Sequence, residues 1–244
     1  MLTPNRSTGN SVIPNVLLIS LTCQSGALFR FCLPGLGYDG DMRHITTLLF
    51  DLGGVLIELG DLNDMMATST KEPWMIWQEW IRSPSVRSFE SGLCDEAQFA
   101  RNMIDEFELS LTGDEFLEKF RRWPKRTFPE AEPLLEKLSK DYRLASLSNT
   151  NLTHYDHFLS KQPIISSFEA TFFSHETGLI KPEPEAFLYV LSHLALEPDQ
   201  IMFFDDNQTN VNAAKAIGIA AERVNAPSDV IVQLNRAGLL AGQH

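Results

Sequence analysis

The chain has 244 residues, 43% of them hydrophobic, enough for one sizeable core and a smaller inserted domain without disulfides or a structural metal. Its formal charge of -12 and pI near 4.9 set it against nucleic acid and anionic membrane surfaces, so an anionic substrate has to meet local positive charge. Cys23, Cys32 and Cys94 fit no zinc or disulfide spacing, and no stretch approaches the ~20 apolar residues of a membrane span, which points to a cytoplasmic protein.

Residues 1–41 read as a disordered tail or an over-extended start, with Met42 as initiator. Val16-Leu17-Leu18-Ile19 near Arg6 imitates a signal sequence poorly, because Arg30 soon follows and no small-x-small cleavage site is in place. Thr46-Thr47-Leu48-Leu49-Phe50 is predicted as a buried strand ending at Asp51, and Gly53-Gly54 as a tight loop after it. Residues 62–128 carry several amphipathic patterns and no convincing strand, which predicts a helical cap inserted into a core made of 42–61 and 129–244. Within it Trp74, Trp77 and Trp80 recur every three residues, placing them on one helix face as cap core or as a wall for a sugar ring. Further helices are predicted over 133–140, 184–195 and 210–217, the last stopped by Gly218, and further strands over 144–147 and 201–204. Alternation of strand and helix predicts an α/β fold, a doubly wound parallel sheet of Rossmann-like topology.

Each predicted strand ends in polar residues: Asp51, then Ser148-Asn149-Thr150-Asn151, then Asp205-Asp206. Parallel sheets place ligands at the carboxyl ends of their strands, so these residues converge on one crevice. A carboxylate beside glycines can act as a nucleophile, with backbone N–H groups around Leu52 and Gly53 approaching a tetrahedral anion. The Ser148 hydroxyl and the Asn149 backbone N–H supply further donors, and Lys181, held by Pro182, offsets the repulsion between a carboxylate and a phosphate dianion. Adding Asp205 and Asp206 to such a site makes sense with a hard divalent cation among them, most plausibly Mg2+.

The strings Phe50-Asp51-Leu52-Gly53-Gly54-Val55-Leu56, Leu147-Ser148-Asn149-Thr150, Lys181-Pro182 and Phe204-Asp205-Asp206-Asn207 resemble the four ordered motifs of the haloacid dehalogenase-like hydrolases, over about residues 44–225. The resemblance implies that Asp51 forms an aspartyl-phosphate and that Ser148 and Lys181 hold the phosphoryl group. It also implies that Asp206, Asp51 and the Gly53 carbonyl bind magnesium, with Asp205 and Asn210 as weaker or outer ligands. The wording is most similar to the sugar phosphatases acting on glucose 1-phosphate and to the phosphatase domain of soluble epoxide hydrolases. One departure stands out: most related phosphatases carry a second aspartate, a general acid and base, where this chain has Gly53.

The expected activity is therefore hydrolysis of a small phosphomonoester, with a small phosphorylated metabolite as partner. A 2-haloacid dehalogenase and a non-catalytic anion-binding module are the rivals. His154 and His157 lie one helical turn apart, but imidazole does not suit a hard cation. Arg82, Arg87, Arg121 and Arg122 read as solvated charges, one of which could reach the substrate.

Overall fold

The structure is a computed structural model that describes residues 42–66 and 72–240, so the reading of residues 1–41 lies outside the described residues. In chain order the elements are β1 (Thr47–Phe50), β2 (Ile57–Leu59), α1 (Leu62–Met66), α2 (Pro73–Arg82), α3 (Pro84–Glu90), α4 (Glu96–Phe107), α5 (Gly113–Arg121), β3 (Pro124–Thr127) and α6 (Ala131–Leu138). They continue with β4 (Arg143–Ser148), α7 (Leu152–His157), β5 (Ala170–Phe173), α8 (Ser174–Thr177), α9 (Pro184–Leu194), β6 (Ile201–Asp205), α10 (Gln208–Ala216), β7 (Ala220–Arg223) and α11 (Pro227–Arg236).

Five strands form a parallel sheet in the order β5-β4-β1-β6-β7. The chain winds outward from β1 in both directions, so the order reverses there, and the crevice of a doubly wound sheet lies beside that reversal. Leu49 pairs with Ala145 on one side and Phe203 on the other, which brings the ends of β1, β4 and β6 into line. Strand side chains alternate between faces. Leu48, Phe50, Leu144, Met202 and Phe204 pack with α6 and α11, while Leu49, Ala145, Leu147 and Phe203 pack with α9 and α10. Each of these leucines and phenylalanines contributes about 1.5–3 kcal/mol by burial, so the sheet's centre is the most firmly held part of the chain.

Helices α1 to α5 build a separate aromatic cluster from Trp80, Phe89, Phe99, Phe116, Phe120 and Trp123. Their starts are set by side chains on backbone N–H groups: Ser83 for α3, Asp95 for α4, and a Thr112–Glu115 capping box for α5. The tryptophan expectation needs correction. Trp80 is 4% exposed but Trp74 is 60% exposed, because three residues advance a helix by about 300° and two such steps carry the side chain about 120° around the axis. The stretch 62–128 is also not wholly helical: β3 pairs antiparallel with β2 in a two-stranded ribbon. Pro124-Lys125-Arg126-Thr127 is largely exposed and has no apolar alternation, so its pattern gave no sign of a strand. β5 and β7, both short, complete the sheet's edges. Among the described residues, no helix is long and apolar enough to cross a membrane.

His154 joins the two parts. Its Nε2–H donates to the Phe120 carbonyl at 2.7 Å, its Nδ1 faces the Asn151 amide nitrogen at 3.2 Å, and its ring stacks on Phe120 with centroids 4.1 Å apart. Burial pushes its pKa from 6.5 down to about 4, against the Phe120 carbonyl, which favours the charged form. The unfolded chain thus takes up the proton first, and the fold loses stability as pH falls from about 6.5 to about 4. The loss amounts to about 3 kcal/mol. Urea titrations across that window are expected to show a correspondingly smaller acid loss for His154→Phe. Identical pH slopes for the two proteins would assign the acid sensitivity to other groups.

Candidate active site

The carboxyl ends of β1, β4 and β6 bring Asp51, Ser148, Asp205 and Asp206 together, the loop before α9 adds Lys181, and all of these but Asp205 line one pocket. Lys181 is 2% exposed, and its Nζ donates to Asp205 Oδ2 at 2.6 Å and approaches Asp51 Oδ1 at 3.1 Å. Burial alone would lower its pKa, but Asp205 and Asp51 outweigh that and raise it, so the ammonium stays charged. Asn149 fixes the backbone of this lysine: its amide nitrogen donates to the Lys181 carbonyl at 2.9 Å and its amide oxygen accepts from the Lys181 N–H at 2.8 Å. The Asn149 side chain is therefore committed to Lys181, and its backbone N–H is the group left to meet a ligand.

Asp51 presents its Oδ1 to the Leu52 N–H at 2.7 Å as well as to Lys181, so these contacts fall on one oxygen. The Leu52 N–H is thus turned onto Asp51 itself. Asp205 is wholly buried: Lys181, the Asn207 N–H at 2.8 Å and the Asn210 amide at 3.0 and 3.1 Å occupy both its oxygens. Asn210, at the start of α10, therefore serves Asp205. Asp206 is less enclosed and lies against Gly54, where an added Cβ would come within 2.4 Å of Asp206 Oδ2. Gly54 has φ +70°, so both the turn and the close approach require glycine there. Gly53 has no such φ, and a Cβ on it would touch only the Leu59 side chain, at 3.3 Å.

The carboxylates Asp51, Asp205 and Asp206 place oxygens within 4.8 Å of one another. Burial first, then Asp205, push Asp51 from 3.8 up to about 6 against the pull of Lys181. Burial, Asp51 and Asp205 push Asp206 up to about 7. One lysine does not balance this cluster, and hard oxygen donors so crowded suit a divalent cation such as magnesium.

The pocket has a volume of about 140 Å³. Trp77, Trp80 and Trp123 form a wall from the helical layer, and Arg87 and Glu90 of α3 reach it from the same side. Of the four arginines singled out from the sequence, only Arg87 lines the pocket, and it is paired with Glu183. Arg121 pairs with Glu96 and Arg122 with Glu118. Glu90 had no sequence signal, since Ser-Phe-Glu-Ser at the end of a helix matches no motif. Cys94 is free, and His157 bonds the Thr153 carbonyl, outside the carboxylate cluster.

The sequence model of the haloacid dehalogenase-like hydrolases matches residues 45–218. The chain is 30% identical over 188 residues to flavin mononucleotide hydrolase 1 of Arabidopsis thaliana, covering 72% of this chain and 71% of that one. It is 21% identical to D-ribitol-5-phosphate phosphatase of Bacteroides thetaiotaomicron, over 71% and 89% of the two chains. Among solved structures, a haloacid dehalogenase family enzyme from Bacteroides thetaiotaomicron, in complex with magnesium and inorganic phosphate, superposes with a TM-score of 0.60 at 26% identity, covering 73% of this chain and 93% of its own. Matched over a span that holds all four motifs, and similar to enzymes named for phosphate-ester hydrolysis, this chain belongs to the haloacid dehalogenase-like hydrolases.

Proposed function

We propose that this protein hydrolyses a small phosphomonoester, with sugar phosphates the favoured class, through an aspartyl-phosphate on Asp51. The carrying observation is the cluster at the sheet's switch point: a buried lysine between two aspartates, with a third aspartate beside them. The free oxygen of Asp51 attacks phosphorus in line, and the bond to the leaving alcohol breaks. Lys181, the Ser148 hydroxyl and the backbone N–H groups of Gly53 and Asn149 hold the phosphoryl oxygens, donors fixed before the substrate arrives. Asp51, Asp206 and the Gly53 carbonyl would hold magnesium, which when bound offsets the charge of the phosphoryl group. Asp205, with both oxygens engaged, anchors Lys181 instead.

The helices of 62–128 act as the cap that excludes water and selects the leaving group. A pocket of about 140 Å³ is small beside the ~300–1,000 Å³ of sites for larger ligands, which supports a compact substrate. The names of the related hydrolases, acting on a flavin mononucleotide and a pentitol phosphate, support the phosphate ester and leave its alcohol to be found.

A screen of phosphorylated metabolites together with p-nitrophenyl phosphate, with and without magnesium, tests this reading. Activity that needs magnesium is expected, and halide release from 2-chloropropionate without phosphatase activity would overturn it in favour of a dehalogenase. Asp206→Ala is expected to raise the magnesium concentration for half-maximal activity, and the Kd from calorimetry, by tenfold or more, as a hard cation loses an anionic ligand. An unchanged titration would place the ion elsewhere.

A further inference from the structure

We propose that Glu90, carried by α3 of the helical layer, is the general acid and base of this site. The inference rests on the phosphatase reading above. Cleaving an alkyl phosphate expels a strongly basic alkoxide, which needs a proton as the bond to phosphorus breaks. The titratable groups lining the pocket are Asp51, Arg87, Glu90, His154, Lys181 and Asp206. Asp51 is the nucleophile, Lys181 is a charged donor locked between two carboxylates, and Arg87 is tied to Glu183. His154 has both ring nitrogens engaged inside the protein. Asp206 would hold the cation, and position 53, in the loop after the nucleophile, offers no side chain at all.

Glu90 remains. It lines the pocket with Asp51 and Lys181, and it forms no hydrogen bond or ion pair with a described residue. Glu90 is only partly buried, so its carboxyl group opens onto the pocket, where a bound substrate can meet it. Its position is fixed from both sides in sequence. Three residues before it, Arg87 pairs with Glu183 of the core, and two residues after it Gly92 packs so closely on the core that an added Cβ would lie 2.8 Å from the His175 carbonyl oxygen. These two attachments hold the end of α3 over the strand ends. Burial first, then the charge of Asp51, raise Glu90 from 4.5 to about 7 against Lys181 and Arg87, so a protonated population exists near neutral pH.

In the first half-reaction the Asp51 oxygen bonds to phosphorus, the bond from phosphorus to the alcohol oxygen breaks, and the Glu90 proton passes to that oxygen. In the second, water attacks phosphorus, the bond to Asp51 breaks, and Glu90 takes the water's proton. Asp51 returns as carboxylate, Glu90 as acid, and the products are alcohol and inorganic phosphate.

Rapid-mixing kinetics on Glu90→Gln test this. For the best sugar phosphate of the screen, phosphoenzyme formation is expected to fall ~10²-fold or more, within the 10²–10⁴-fold range of general acids. For p-nitrophenyl phosphate, whose leaving group needs no proton, the burst of p-nitrophenolate should keep its rate constant within about threefold while steady turnover slows. The high-pH limb of the wild-type profile for the sugar phosphate should vanish in Glu90→Gln and persist, with partial activity, in Glu90→Asp. Equal losses in phosphoenzyme formation on both substrates, or none on either, in a protein whose circular dichroism and melting match the wild type would overturn the assignment. A Glu90→Gln protein that fails to fold shifts the same comparison to Glu90→Asp, where a substrate-independent loss overturns it equally. Should the wild type turn over no phosphomonoester, the phosphatase reading itself falls, an outcome distinct from an active wild type indifferent to Glu90.

Discussion

Asp51→Asn is expected to lose turnover by on the order of 10⁴-fold or more and to keep its fold. An amide of the same shape still accepts from the Leu52 N–H, but it has no anionic oxygen to attack phosphorus. The stability change should run opposite to the activity change. Asp51 has its pKa raised from 3.8 to about 6, chiefly by burial, so in the metal-free protein its ionisation costs stability increasingly as pH rises through that interval. Asparagine cannot ionise, and the variant should melt no lower than the wild type at pH 7. Mass spectrometry of trapped phosphoenzyme, together with a melting curve, checks both halves. Turnover retained at a tenth of the wild-type rate would remove Asp51 from the role.

The second large effect belongs to Lys181. Lys181→Met fills a similar volume but strands the wholly buried Asp205 with only Asn210 and the Asn207 N–H to meet its charge. Breaking a buried pair from one side typically costs about 3–5 kcal/mol, which for a chain of this size lowers Tm by roughly 10 °C. Removing the second charge as well should undo much of that. The double variant Lys181→Met, Asp205→Asn is expected to recover more than half of the lost stability and none of the lost activity. Additive losses in the double variant would show that the pair does not hold this site together.

The same two residues show what a sequence read alone can and cannot give. The positions of Asp51, Ser148, Lys181 and Asp206 were legible because three of them stand at the ends of apolar runs and Lys181 stands before a proline, and three such runs in a parallel sheet must end on one side. What stayed hidden was partnership. Asp205 and Asp206 are adjacent and identical in type, yet one, the last residue of β6, is sealed against Lys181 and Asn210 while the other, in the bend just beyond it, faces Gly54. Glu90 was hidden because it acts from another layer, more than 35 residues from the nearest strand-end residue, and its relevance comes from how α3 is fastened to the core. Strand β3 escaped because solvent faces its side chains, so no periodicity marked it. Trp74 misled because spacing by three is close to, but not the same as, a helical repeat.

Asn149 makes the site depend on one amide group. One side chain serves as donor to the Lys181 carbonyl and acceptor for the Lys181 N–H, a duty only a primary amide of that length can perform. Hydrolytic deamidation would leave the acceptor in place and set a second oxygen against a carbonyl that had been 2.9 Å from a nitrogen. The peptide that carries the phosphate-facing ammonium would then loosen while the hydrophobic sheet beneath it stayed whole. Loss of that one amide nitrogen would thus silence the site and leave the fold standing.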